Sequence, residues 1–412
     1  MFQRIVQQIG WPKFRSKQIN HAIFRQLIHD WEQATSLPKE VRNYLKLNVK
    51  LSDLELVSER ISDKSDTIKV LFKLEDGNLI ESVLMMHEGR NTVCVSSQSG
   101  CPVGCKFCAT GAMGFKRNLT AKEIVDQVLY FARKLEKTTP VRKSDHPSLE
   151  RRGNTFSTGN TINNIVFMGM GEPMLNLNNV SRAVEILTDD HMFGLGKRKI
   201  TVSTSGYIEP LKKFLEQFPH IGLAISLHAP NQELREKLMP NVAKANTIKE
   251  LLKVCREYSK QTSRRVSYEY ILIEGLNDSL KQAKKLAEIL YDHQFFVNLI
   301  PYNPPTKTTT PIRPDGLCCP SSCEEGNCLE LSTTEKENGC VCFSSLPRRS
   351  GKPQRGAPEV VGAINKLNMK KPNNFRVNRF KDELNKLGVP VAVRVAMGAD
   401  IGGACGQLSS KK

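Results

Sequence analysis

From Thr92 onward the sequence alternates between strand-like and helix-like segments, and this alternation restricts the possible folds more than any other feature. The strand-like segments are apolar or alternate between apolar and polar residues. They are 92–97, 164–169, 199–205, 221–227, 266–273 and 295–301. Strands that alternate with helices favour a parallel sheet with crossover helices. The sequence therefore predicts an α/β fold, in which an open or closed six-stranded barrel fits best and a flat doubly wound sheet is the alternative.

Two smaller units precede the predicted barrel, which occupies residues 92–303. Residues 1–60 have apolar positions at helical spacing and predict a helical domain. Residues 61–91 contain two strand-like runs on either side of Asp76 and Gly77, a pair that is typical of a tight hairpin turn. We therefore expect a β-hairpin that links the helical domain to the barrel.

The chain after the barrel divides into a long polar segment and a short structured end. Residues 304–372 are rich in Pro, Ser, Gly, Lys and Cys and predict a disordered insertion, and residues 136–162 are polar and aperiodic in the same way. Residues 373–412 then predict a helix, a strand and a Gly-rich tail. Six cysteines of the insertion are either incidental thiols or ligands of an extra metal: Cys318, Cys319, Cys323, Cys328, Cys340 and Cys342.

The composition favours an intracellular protein with a polyanionic partner. Lys and Arg number 60 against 42 Asp and Glu, which gives a net charge of +18 and favours nucleic acid, although a lysine-rich surface also serves solubility. No apolar run approaches the length of a membrane span, and the first residues do not resemble a secretory signal. The twelve cysteines therefore indicate metal binding or catalysis in the cytoplasm rather than secreted disulfides.

Three cysteines, Cys101, Cys105 and Cys108, follow the first predicted strand with three and two residues between them. Thiolates are the usual ligands of iron–sulfur clusters, and three of them leave one iron of a [4Fe-4S] cluster open. That iron is then free to bind the amino and carboxylate groups of S-adenosylmethionine (SAM). Structural zinc is the alternative, but it requires four ligands, and the adjoining sequence has no fourth Cys or His. The spacing resembles that of the radical SAM superfamily.

A second motif, Gly169-Met170-Gly171-Glu172-Pro173, follows the second predicted strand. Glycines and a carboxylate at the end of a strand suit the binding of a ligand's ammonium group, although an ordinary βα turn has the same composition. Polar residues also end the later strands, at positions that bind ligands in barrel enzymes or simply cap helices and turns. They are Ser203, Ser205, Ser226, His228 and Asn303.

Two further cysteines stand in unusual positions. Cys94 lies on the first predicted strand, and the two-residue period of a strand places it on the polar face with Thr92 and Ser96. Cys405 lies in a Gly-rich tail, where the usual role of an isolated cysteine, a small buried hydrophobe, fits poorly. Cys255, in the middle of a predicted helix, is interpreted as such a buried residue.

Together these segments resemble the RlmN/Cfr family of radical SAM RNA methyltransferases, over most of the chain outside the two polar segments. The matching motifs occur in one order: SGCPVGCKFCATGAMGFKRNLT, VFMGMGEPMLNLNNV, VSTSGYIEPL, AISLHAP, NLIPYN and ACGQL. The chain departs from the family at residues 394–403, where a usual second basic residue and a Gly-Asp-Asp-Ile stretch are replaced. We therefore expect RNA contacts near the tail to differ from those of the family.

The resemblance implies that the protein methylates adenine through an S-methylcysteine and uses two SAM molecules per turnover. Cys405 would accept a methyl group from the first SAM. A 5′-deoxyadenosyl radical from the second SAM would then activate this methyl for addition to the adenine ring. Cys94 would form a transient disulfide with Cys405 and release the product. Glu81 matches the family's general base, although the sequence alone favours a solvated hairpin carboxylate.

The resemblance also implies a substrate and partners. The expected substrate is an adenine of 23S ribosomal RNA, methylated at C2, with tRNA as a second substrate. Residues 1–60 resemble the accessory RNA-binding domain of the family, and we expect a cytoplasmic monomer that receives electrons from a flavodoxin or ferredoxin. The implied SAM-binding residues are Gly171, Glu172, Ser203, Ser226, Leu227, His228 and Asn303.

Two alternatives stay open at this stage. Methylation at C8 of the same adenine, which would confer resistance to ribosome-targeting antibiotics, has the same motifs. A non-catalytic, RNA-binding iron–sulfur redox sensor would explain the charge and the cluster but would leave Cys94 and Cys405 without a joint role.

Overall fold

The computed structural model describes residues 3–87, 89–137, 162–304 and 368–409. The six cysteines of the predicted insertion, and most of both polar segments, lie outside these ranges. Within the ranges, the chain begins with the helices α1 (Gln3–Gln8), α2 (Phe14–Phe24) and α3 (Lys39–Asn48). Their apolar sides belong to the same hydrophobic core as the sheet, and Ile19, Phe24 and Leu45 are buried in it, as is Trp31 between α2 and α3.

The predicted hairpin is confirmed and is part of a larger antiparallel unit. This unit consists of β1 (Glu55–Ile61), β2 (Thr67–Lys73), β3 (Leu79–His87) and β4 (Arg90–Cys94), each paired with the next. β1 was not expected from the sequence, because three of its seven residues are charged, its apolar residues do not alternate and its side chains are largely exposed at the edge of the sheet.

The predicted α/β barrel is confirmed, and it is open. Parallel strands continue the sheet from β4 in the order β7, β8, β9, β10, β11 and β12. These strands are β7 (Ile162–Phe167), β8 (Ile200–Thr204), β9 (Gly222–Ser226), β10 (Val266–Leu272), β11 (Phe295–Pro301) and β12 (Val391–Val393). In the described part of the chain, β1 and β12 are the two edges and do not pair with each other.

Helices follow the parallel strands as crossover connections. They are α5 (Ala121–Lys137), α6 (Leu177–Thr188), α7 (Ile208–Gln217), α8 (Gln232–Leu238), α9 (Pro240–Ala245), α10 (Ile248–Thr262), α11 (Leu280–Ile289) and α12 (Asn374–Lys386). The short helices α8 and α9, between β9 and α10, were not expected from the sequence. None of the helices in the described ranges is long and apolar enough to cross a bilayer.

The two-residue period of the strands separates a helix-packed face from a face that lines the barrel interior. On β10, Tyr268 and Tyr270 are buried on the outer face, where Tyr270 stacks on Phe380 of α12 at 5.4 Å between ring centroids. Ser267 and Glu269, which alternate with the two tyrosines in sequence, line an interior cavity. The polar residues of these strands therefore meet inside the barrel.

A small antiparallel hairpin lies beside the barrel, immediately after β4. It consists of β5 (Gln98–Gly100) and β6 (Phe115–Asn118), and the short helix α4 (Ala109–Ala112) lies between them. Gly100 has φ of +73°, and a Cβ atom there would overlap the carbonyl oxygen of Gly114. This close approach of two backbones sets the start of the loop that carries the three motif cysteines.

We predict that Gly100→Ala destabilises the protein more than Gly77→Ala does. Gly77 also has a left-handed backbone, with φ of +81°, but a Cβ there meets nothing within 4 Å. Its substitution therefore costs only about 1 kcal/mol of backbone strain. Gly100→Ala adds a backbone collision and should cost about 3 kcal/mol or more. Denaturant unfolding of both variants measures the difference, and equal losses would contradict the close approach.

Candidate active site

The cysteine loop, residues 101–108, follows β5 and leads into α4. Its first amide, from Cys101, donates a hydrogen bond to the Gly114 carbonyl at 3.0 Å. Cys101, Cys105 and Cys108 are half-buried, and all three line one cavity of about 150 Å³, which we call the cysteine cavity. The structure therefore brings the three predicted cluster ligands to one place.

Glu172, after β7, lies buried in the wall of the cysteine cavity. Its carboxylate accepts hydrogen bonds from the hydroxyls of Thr204 and Ser205, both at 2.6 Å, and from the Ser205 amide at 2.7 Å. Burial raises the pKa of Glu172, and these hydrogen bonds oppose the shift. Gly171 has φ of +99°, and a Cβ there would collide with Gln98. The carboxylate is thus held in a fixed orientation.

The other predicted SAM-binding residues divide between two cavities. Ser203, Ser226 and His228 line the cysteine cavity. Asn303 instead lines a second cavity of about 490 Å³ inside the barrel, which we call the barrel cavity. Leu227 is not one of the described residues that line either cavity, because its side chain is fully buried in the hydrophobic core.

His228 has an unusual backbone for a residue other than glycine, with φ of +59°. Its ring nitrogen Nδ1 accepts a hydrogen bond from the Ile271 amide at 3.0 Å, and its ring packs edge-on against Phe107. Burial, and secondarily the charge of Arg235, lowers the pKa of His228 to about 3. The imidazole is therefore neutral at physiological pH.

The Gly-rich tail folds back onto the cysteine loop. The Ala109 amide donates to the Gly406 carbonyl at 2.8 Å, and the Thr110 hydroxyl donates to the Leu408 carbonyl at 2.7 Å. Cys405, just before this contact, lines both the cysteine cavity and the barrel cavity. The tail thus delivers a thiol to the wall that the two cavities share.

Cys94 and Cys405 lie near each other in the barrel cavity. Burial, followed by the nearby Cys405 thiol, raises the pKa of Cys94 to about 12, and Arg394 opposes this shift. Cys405 also contributes to the raised pKa of Cys108, for which burial is the main cause. Cys405 therefore lies within electrostatic range of both Cys94 and the cysteine loop.

An ion pair that the sequence analysis did not identify lies in the same shared wall. Nη1 of Arg394 is 3.8 Å from Oε2 of Glu269 and 3.4 Å from the sulfur of Met168. Glu269 is buried, and its other oxygen accepts a hydrogen bond from Asn298 at 2.8 Å. Burial raises the pKa of Glu269, whereas Arg394 lowers it. The sequence contained one sign of this pair: Glu269 and Arg394 are each the single charged residue of a strand-like segment.

Glu81, on β3, is buried, so the expectation of a solvated hairpin carboxylate was wrong. Its Oε1 lies 2.9 Å from Nζ of Lys69, and its Oε2 accepts a hydrogen bond from the Ser409 amide at 3.0 Å. The sequence did not reveal this burial, because the covering tail is 328 residues away. Glu81 is not one of the described residues that line either cavity.

Comparisons with known proteins show what the whole chain is similar to. Residues 95–287 match the radical SAM superfamily. The chain is 36% identical to the ribosomal RNA large subunit methyltransferase N of Nitrosopumilus maritimus, over 98% of this chain and 95% of that protein. It is also 36% identical to a probable dual-specificity RNA methyltransferase RlmN of Thermus thermophilus, over 100% of this chain and 93% of that protein.

A solved structure shares the whole fold. The crystal structure of a radical SAM methyltransferase from Sphaerobacter thermophilus has a TM-score of 0.76 and 37% identity, over 99% of this chain and 96% of that chain. The chain belongs to the RlmN family of radical SAM methyltransferases. Membership in this family implies a [4Fe-4S] cluster and SAM.

The residues of the cysteine cavity fit such a cluster. Burial raises the pKa of all three thiols, and at Cys105 the other two thiols raise it further. The thiols therefore need a positive group, such as an iron core, before they ionise. In the described part of the chain, no three His, Cys, Asp or Glu side chains are grouped to hold a single metal ion. A cubane bonds each thiolate to a different iron and does not require that grouping.

We predict that His228→Asn reduces the loss of stability at acid pH. Between pH 6.5 and about 3, the unfolded chain binds a proton at His228 that the folded chain does not bind, so stability falls as the pH falls. Asn tolerates a left-handed backbone and retains an acceptor in place of Nδ1. Between pH 7 and pH 5, the free energy of unfolding of the cluster-free variant should fall by about 2 kcal/mol less than that of the wild type. An equal fall in both proteins would contradict the neutral imidazole.

Proposed function

We propose that this protein methylates C2 of an adenine in 23S ribosomal RNA, and in tRNA as a second substrate, through an S-methylcysteine. The observation that carries the proposal is the position of Cys405, in the wall of both cavities and near both Cys94 and the cysteine loop. Relatives named as a ribosomal RNA large subunit methyltransferase and as dual-specificity RNA methyltransferases support an RNA substrate. C2 is preferred to C8 because it is the more widespread activity in the family.

The chemistry of adenine requires a radical route. Its C2–H group is neither acidic nor nucleophilic enough to attack the methyl group of SAM directly. When bound, the cluster and SAM supply a carbon radical that abstracts hydrogen. Three thiols would hold the cluster, namely Cys101, Cys105 and Cys108. The implied SAM-binding residues of this chain are Gly171, Glu172, Ser203, Ser226, Leu227, His228 and Asn303.

Cys405 acts first as a nucleophile and takes the methyl group of one SAM, so that each methylation consumes two SAM molecules. Arg394 lies near Cys405, which is the main cause of the raised pKa of Arg394. A cation beside a cysteine generally favours the nucleophilic thiolate. Glu269 and Met168 hold the guanidinium in the shared wall. Arg394 is therefore an activating residue rather than an RNA contact.

Cys94 and Glu81 complete the reaction. After the carrier carbon has joined adenine, Glu81 would take the proton that leaves C2, and the unpaired electron of the adduct would return to the oxidised cluster. Cys94 would then attack the sulfur of Cys405 as a thiolate, so that a disulfide forms as the sulfur–carbon bond breaks. The released carbon would take up the proton given up by the Cys94 thiol and become the methyl group of the RNA. The hydrogen bond from the Ser409 amide to Glu81 supports this role, because it couples the carboxylate to the tail that carries Cys405.

The positive charge of the chain supports binding of RNA through phosphate contacts. Residues 1–60 would form the accessory RNA-binding domain, and the target adenine would leave its stack to reach Cys405. A flavodoxin or ferredoxin would supply the electron, and the enzyme would act as a monomer in the cytoplasm.

We predict that Cys405→Ala abolishes the transfer of labelled methyl from SAM to both protein and RNA. Reconstituted wild-type protein should carry label on Cys405 and should produce 2-methyladenosine in ribosomal RNA fragments, as measured by mass spectrometry of the digests. Cys255→Ala is the matched control, because Cys255 is buried in the hydrophobic core away from both cavities. This control should retain both products.

Three results would contradict the proposal. Equal labelling of RNA by the Cys405 variant would exclude the methyl carrier. 8-Methyladenosine in place of 2-methyladenosine would establish the C8 alternative. Failure of the reduced wild-type protein to form 5′-deoxyadenosine from SAM would favour the non-catalytic redox sensor.

We predict that Arg394→Met slows methylation of Cys405 by roughly tenfold or more, since about 1.4 kcal/mol of lost thiolate stabilisation is a factor of ten in rate. Arg394→Lys retains the positive charge and should be slowed less. The rate is measured in a single turnover, as label that moves from SAM to the protein without RNA. Wild-type rates in the Met variant would show that Arg394 does not act on Cys405.

A further inference from the structure

Arg235, on α8, is a fully buried cation with incomplete hydrogen bonding. One nitrogen, Nη2, donates to the Ser205 carbonyl. Nε and Nη1 have no hydrogen-bond partner among the described atoms. Burial of a guanidinium without full compensation is strongly destabilising, so its retention in this position points to a group that completes its surroundings.

The groups around Arg235 belong to the cysteine cavity. Burial lowers the pKa of Arg235 to about 10, and its electrostatic interactions with Cys105 and Glu172 oppose this shift. The guanidinium therefore stays charged at neutral pH. The same charge acts on His228, whose pKa it lowers. Arg235 is thus within electrostatic range of Cys105, Glu172 and His228, which lie on three different segments of the cavity wall.

Arg235 is not one of the described residues that line the cysteine cavity. It lies behind the wall formed by Ser205 and within electrostatic range of the Cys105 thiol. This placement suits a fixed charge that acts on the contents of the cavity rather than a side chain that contacts a bound SAM molecule.

We propose that Arg235 is the built-in counter-cation of the iron–sulfur cluster and raises its reduction potential. The inference rests on the proposed binding of the cluster by the cysteine loop. An oxidised cubane core with three thiolates carries a net negative charge, and one-electron reduction adds another. A fixed positive charge therefore stabilises the reduced form more than the oxidised form, and net charge is one of the factors that set cluster potentials. Arg235 would not contact the substrate. It would affect the reaction only through the reduction potential of the cluster.

The experiment compares reconstituted wild type, Arg235→Met and Arg235→Lys. Iron and sulfide are counted per chain, and the midpoint potential is measured by redox titration with electron paramagnetic resonance. We expect the Met variant to titrate at a more negative potential than the wild type, and the Lys variant to lie between them. A role limited to joining α8 to Ser205 would not shift the potential.

A matched control is Arg133→Met on α5. Arg133 also has two buried nitrogens without a partner in the described residues, and burial also lowers its pKa, but its charged neighbours are Asp126 and Glu136. This variant should keep the wild-type potential. Equal potentials in wild type and Arg235→Met would overturn the inference while leaving the proposed function intact. Failure of the wild type to hold any cluster would overturn both.

Cluster-free protein provides a second measurement if Arg235→Met does not retain iron. Without the cluster, Arg235 is an uncompensated buried charge, so Arg235→Met should melt at a higher temperature than the cluster-free wild type. A higher melting temperature together with loss of iron supports the counter-cation. A lower melting temperature would show that Arg235 serves the fold rather than the cluster.

Discussion

Two hydrogen bonds from the first turn of α4 to the end of the chain determine where Cys405 lies. The Ala109 amide and the Thr110 hydroxyl donate to tail carbonyls, in the second case across 298 residues. Because Cys108 caps the same helix, one turn positions both the cysteine loop and the tail. The glycine-rich sequence around Cys405 has little conformational preference of its own, so the proposed methyl carrier depends on this docking.

The surroundings of these thiols contain ionisable groups that are only partly compensated by their neighbours. Glu172 accepts hydrogen bonds from two hydroxyls and an amide. Glu269 lies 3.8 Å from the guanidinium of Arg394. Arg235 donates a hydrogen bond to one carbonyl, that of Ser205. Such arrangements lower the stability of the chain alone, and perturbed groups of this kind concentrate at functional sites. The molecule is therefore expected to be less stable without its cofactors than with them, since bound groups of opposite charge complete these surroundings.

The fold and the cluster ligands could be predicted from local sequence, whereas the electrostatic surroundings could not. Strand periodicity and the spacing of Cys101, Cys105 and Cys108 are properties of short segments. The burial of Glu81 depends on a tail that is distant in sequence. The pairing of Glu269 with Arg394 joins β10 to the residue that follows β12, a strand that is not its neighbour in the sheet. A charged residue within an apolar strand was a visible signal, but only the packing shows its partner. The charged, exposed strand β1 lacked even that signal.

The wall shared by the two cavities has a consequence for how the steps are coupled. Cys405 is accessible from both spaces, so on the proposed mechanism the donor and the acceptor of the methyl group can each approach one stationary sulfur. Enzymes that carry a group on a long flexible arm must time the swing of that arm. Here the methyl group would stay on a single cysteine side chain between its two reactions. The order of the steps would then follow from whether the sulfur is free, methylated or in a disulfide, and no large motion would be needed.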